Sequence, residues 1–214
     1  MCIRDRVSGR WADITLVLRT APLSAVAMLV TFLATTQLPL HTAILIGAIT
    51  SLVLYCVKAS QAAQLMAMER TDDGEWAIVA VPDAVQSDAV TVLQYTGVGL
   101  FAEVPRIEED WPRVADTHNA VVVLGVRSLP DVPSSKVLKA IRRWAQELRD
   151  NGGRLIIAGA SPETVGLLER GGLMDVLGPD GVVPASDRLM GATEEAVDRG
   201  QRWIADHGDT PPTR

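Results

Sequence analysis

AVVVLGV at residues 120–126 and, after a short loop, SKVLKAIRRWAQELRD at 135–150 decide how this chain folds. The first is a continuous apolar run, the pattern of a strand buried on both faces of a sheet. The second sets Val137, Leu138, Ile141, Trp144, Ala145 and Leu148 at i, i+1, i+4, i+7, i+8 and i+11, one face of a helix. Lys136, Lys139, Arg142, Arg143 and Arg149 take the other side. Asn151-Gly152 closes the helix with residues that tolerate left-handed backbone. RLIIA at 154–158 then reads as the next strand. Strand, helix and strand in this order predict an α/β layer with parallel pairing at its centre.

Outward from this centre the same alternation continues. TDDGE at 71–75 is a turn, and WAIVAV (76–81) and AVTVLQY (89–95) are β-runs. Gly97 and Gly99 mark a bend before Leu100-Phe101, and Glu103 to Val114 reads as a short helix. Ser161-Pro162-Glu163 opens a helix running to Arg170, with an N-cap, proline at the first position and an acid in the first turn. Val182-Val183 is extended, and Gly191 to Asp206 is a last helix burying Ala196, Val197, Trp203 and Ile204. The tail at 207–214 is expected to be disordered.

Towards the N-terminus the character changes. The chain has 214 residues, 26 acidic and 20 basic, for a net charge of −6. Residues 1–70 carry six cations and three acids, leaving about −9 for the remainder. Between Arg19 and Lys58 no charged residue occurs over 38 positions. LSAVAMLVTFLATTQL (23–38) and LHTAILIGAITSLVLYCV (40–57) fill that stretch, and Pro39 separates them. Proline removes a backbone donor and turns Leu38 away from helical dihedrals, so the stretch is two helices. At 1.5 Å per residue they span roughly 24 and 27 Å, against a hydrocarbon core of roughly 30 Å. Both are short for free spans, and a transmembrane hairpin packed among further helices is expected. Gly47, Ala48 and Ser51 are small enough to let a neighbouring helix approach. Arg10, Arg19 and Lys58 flank the hairpin and the turn carries no cation, which places both ends in the cytoplasm. Trp11 to Leu18 reads as an interfacial segment.

The chemistry-bearing residues are sparse. The acidic balance argues against a nucleic-acid surface. Cys2 and Cys56, with His41, His118 and His207, show no ligand spacing, so no metal is expected. Gly152-Gly153 and Gly171-Gly172 end helices and make no phosphate loop. No Ser-His-Asp or Cys-His arrangement is visible, so no enzyme and no cofactor are expected. Glu108, Glu109 and Asp110 read as a solvated helix face.

In their order, VLRTAPL, MLVTFLATTQLPL, AILIGAITSLVLY, TVLQYTGVGLFAEV, AVVVLGV, VPSSKVLKAIRRWAQEL and RLIIAGASPETVGLLERGGL resemble the C-terminal end of SulP-type anion permeases, related to the solute-carrier 26 family. The polar part resembles a STAS domain, the module shared with bacterial anti-sigma-factor antagonists. Those antagonists carry Asp-Ser-Ser-Gly at the helix start where this chain has Val132-Pro133-Ser134-Ser135-Lys136, with Asp131 displaced. The resemblance implies an α/β STAS-like domain with a mixed sheet, preceded by the last two gate helices of the permease. The expected organisation is a juxtamembrane segment at 1–22, the hairpin at 23–57, a linker at 58–72, the STAS domain at 73–206 and the tail. MCIRDR at 1–6 matches nothing in the family and is read as non-native.

The resemblance implies a fragment of a sulfate-type secondary transporter with a regulatory domain, in a bacterial inner membrane with that domain cytoplasmic. A short membrane-anchored STAS protein, acting as a phospho-switch or scaffold, is the alternative. Implied partners are the remaining membrane helices, a second copy in a homodimer and a cytoplasmic regulatory protein. The substrate site belongs to earlier helices, so none is expected here. Ser134 reads as an N-cap, and Ser135, with Ser134 second, is the candidate phosphorylation site by analogy with the antagonists.

Overall fold

The structure, a computed structural model, describes residues 22–97, 104–115, 117–129 and 134–207. The interfacial segment at 11–18, Gly99, Leu100-Phe101, Asp131 to Pro133 and all of the tail after His207 lie outside these residues. Two compact units divide the chain, Met1–Ala59 and Ser60–Arg214.

In the first unit, helix α1 covers Pro22–Gln37 and helix α2 begins at Leu40 and runs to Ala62. Pro39 has no amide to continue α1, but its carbonyl accepts from Thr42 and Ala43 at 3.0 and 3.1 Å and so starts α2. The expected end of α2 at Val57 is corrected: Lys58 is helical too, and Leu40–Lys58 is long and apolar enough to cross a membrane. Among the described residues it is the one helix that is; the apolar run Met28–Gln37 in α1 is shorter.

Ala43 and Gly47 are buried, and Ala48 and Ser51 are exposed. Of the three small residues expected at a close approach, Gly47 is the one buried, and it is joined by Ala43 one turn earlier on the same face of the helix. A Cβ on Gly47 would stand 2.6 Å from Thr31 Oγ1, so a larger residue there requires the Thr31 side chain to move. Thr35 and Thr36 donate back to the carbonyls of Phe32 and Leu33 at 2.7 and 2.8 Å. Both hydroxyls are thus satisfied within their own helix. Leu29, Phe32, Leu33, Ile44, Leu45, Leu52, Val53 and Tyr55 all point outward, each more than half exposed.

The second unit is a six-stranded mixed sheet. Its strands are β1 (Gln64–Arg70), β2 (Trp76–Val79), β3 (Val90–Thr96), β4 (Val121–Gly125), β5 (Arg154–Ala160) and β6 (Val182–Pro184). Their spatial order is β2-β1-β3-β4-β5-β6. β1 is antiparallel to both neighbours, and β3 to β6 are parallel. The stretch 58–72, read as a linker, is helix to Ala62 and then an interior strand. The helices are α3 (Val104–Asp110), α4 (Ser135–Asp150), α5 (Pro162–Arg170), α6 (Met174–Leu177) and α7 (Gly191–His207).

Alternate strand residues feed two cores, as the pleat requires. On one face Leu65, Leu93, Leu124, Leu155 and Ile157 pack with Ile141, Trp144 and Leu148 of α4, Leu168 of α5 and Leu177 of α6. On the other, Val92, Val121, Val123 and Ile156 pack with Ala192 and Ala196 of α7, and Val197, Trp203 and Ile204 are half-buried against them. β4 is buried along its whole length, as its apolar run predicts. Because β1 runs antiparallel, Gln64 at its start pairs with Thr96 at the end of β3. The sheet edge where the parallel strands end, and where α4, α5 and α7 begin, is therefore the edge at which β1 begins.

Candidate functional site

That edge carries both serines singled out from the sequence. Ser134 holds extended dihedrals (φ −64°, ψ 153°) and caps α4: its hydroxyl accepts from the Val137 amide at 3.4 Å. Its carbonyl accepts from Leu138 at 3.2 Å, the first bond of the helix. Ser134 is half-buried, whereas Ser135, the first helical residue, is exposed. No acidic residue lies in the first turn of α4. Lys136 and Lys139 are exposed in the first turns of the helix.

The strand that leads into this loop ends in two residues that act as ties. Ser128 Oγ donates to the Tyr95 carbonyl at 2.6 Å, holding the end of β3. The Arg127 guanidinium donates to the carbonyls of Ser186 and Arg188 at 2.9 and 3.3 Å, holding the loop between β6 and α7. Arg127 runs past Gly159, whose positive φ of 78° accommodates a register shift in β5. A Cβ at Gly159 would approach Arg127 Cβ to 3.3 Å. Sequence reasoning missed both ties; an arginine and a serine after an apolar run signal only that the strand has ended.

Behind Ser134, Val137, Ile141 and Trp144 of α4 line a cavity of about 30 Å³ with Tyr95, Val104 and Leu124. Its walls are apolar, so a water there would find no hydrogen-bond partners. Trp144 stacks on Trp111, with ring centroids 4.2 Å apart and planes at 5°.

The basic face of α4 is largely engaged within the fold. Arg142 donates to the Gly171 carbonyl, Arg149 to that of Asp175 at 3.0 Å, and Arg143 pairs with Glu108 at 2.7 Å. Three arginines thus fasten α4 to its neighbours. Glu108, read as a solvated acid, is part of that fastening. Elsewhere, burial lowers the pKa of Arg154, partly opposed by Asp180. Among the described residues no three His, Cys, Asp or Glu side chains are grouped to hold a metal ion.

The sequence profile of the STAS domain matches residues 81–188, half of the chain, and the chain belongs to the STAS-domain family. No curated protein matches the sequence. Among solved structures, the fold is similar to the murine solute carrier 26 family member A9 (Slc26a9) anion transporter in the inward-facing state. The TM-score is 0.65 at 14% identity, covering 88% of this chain and 30% of that one. A second structure of SLC26A9 matches with a TM-score of 0.65 at 13% identity, over 92% of this chain and 33% of that one. A sulfate transporter family protein from Wolinella succinogenes matches at 0.46 and 21% identity, over 58% of this chain and 98% of that one. The chain spans about a third of the length of the SLC26A9 structures it matches. At these identities the likeness is one of fold: a STAS domain preceded by apolar helix.

Proposed function

We propose that the chain is the C-terminal part of a secondary active anion transporter of the SulP and SLC26 type. In this reading α1 and α2 are its last two gate helices, and the STAS domain is its cytoplasmic regulatory module. One observation carries the proposal. The likeness to the solved transporters extends over 88% and 92% of the chain, more than the 155 residues from Ser60 to Arg214 can supply. The apolar part is therefore included in it. The outward-pointing apolar side chains of both helices fit lipid and further membrane helices, and the hydroxyls of Thr35 and Thr36 are already satisfied. The proposed setting is a bacterial inner membrane with both ends of the hairpin cytoplasmic, a homodimeric assembly and a sulfate-type anion as cargo.

The polar groups of an anion pathway are supplied, in this reading, by helices preceding those described. The test is flux. Liposomes holding this chain alone should accumulate no labelled sulfate, bicarbonate or chloride, and liposomes holding the longer protein should accumulate one of them. Uptake by the chain alone would overturn the assignment.

We further propose Ser135 as the regulatory phosphorylation site, with Ser134 kept for the cap. The exposure of Ser135 at a helix N-terminus with no acid in its first turn supports it. The same observation keeps in view the alternative of a membrane-anchored STAS protein working as a phospho-switch or scaffold. Mass spectrometry of the protein from its native host should find phosphate on Ser135; phosphate at neither serine would dispose of the switch.

A further inference from the structure

We draw no further inference here: the strongest candidate, the α7-side face of the sheet over β1 and β2, where Met66 and Ile78 continue the row of Met68 and Trp76 past the helix, carries nothing because nothing in the structure shows what covers it.

Discussion

The Ser134 hydroxyl closes the first turn of α4, whereas Ser135 is exposed, so substitutions at the two separate the structural role from the proposed regulatory one. Ser134→Ala removes a cap worth about 1 kcal/mol. In a unit of this size it should lower the melting temperature by roughly 4 °C. Ser135→Asp adds a negative charge at the amide end of the helix and should leave the melting temperature unchanged or raise it slightly. A larger loss from Ser135→Asp than from Ser134→Ala would reverse the assignment. The turn after α4 offers a second comparison between neighbours. Gly152 has φ +69° and open space where a Cβ would stand, so Gly152→Ala should cost only the left-handed penalty, about 1–2 kcal/mol. At Gly153 a Cβ would stand 2.5 Å from the Ala120 carbonyl oxygen, which is backbone and cannot rotate away. Gly153→Ala should therefore be the more damaging of the two in a urea melt. Equal midpoints for the two variants would contradict the packing described.

Among the elements, those legible in the sequence had a periodic pattern and a cap. α4 runs Ser135–Asp150, and α5 follows the Ser161-Pro162-Glu163 signal. β1 was missed for a physical reason. QLMAMER is built from residues that favour helices, and alternation is absent because an interior strand places apolar side chains on both faces. Pairing with β2 and β3 overrides that local preference. The ties made by Arg127 and Ser128 were illegible because their acceptors are backbone carbonyls 33 to 61 positions away in the chain. In the apolar part, small residues could be recognised but not which of them faces α1. The contact found there is testable. A Cβ at position 47 would lie 3.4 Å from Thr31 Cβ, close to the roughly 3.5–4.5 Å that a disulfide spans. Thr31→Cys with Gly47→Cys, in a background with Cys2→Ser and Cys56→Ser, should cross-link within one chain on mild oxidation, shifting its mobility on a non-reducing gel. Free thiols persisting at both positions would mean that α1 and α2 do not pack as described.

At the scale of the whole molecule, the division after Ala59 separates two ways of burying apolar surface. The unit from Ser60 packs its own helices on both faces of its sheet, leaving Met66 and Ile78 over β1 and β2 outside them, and all six strands lie inside it. Among the described residues, the unit before it leaves most of its large apolar side chains outside; Phe32 is 65% exposed and Leu52 62%. Water penalises such surface by about 25 cal/mol per Å² of apolar area. The two units should therefore differ in what they need from solvent. A chain covering residues 60–207 keeps the net charge of about −9 reckoned from the sequence, which favours solubility. It should stay in solution without detergent and melt in one cooperative transition. The chain of 214 residues should need detergent or lipid to avoid aggregation. Near-ultraviolet circular dichroism of the shorter chain checks the packing directly, because stacked Trp111 and Trp144 sit in a fixed asymmetric core. A flat spectrum, or a melt without a cooperative transition, would mean that the sheet and its helices depend on the apolar helices for their fold and that the division at Ala59 is not a boundary of stability.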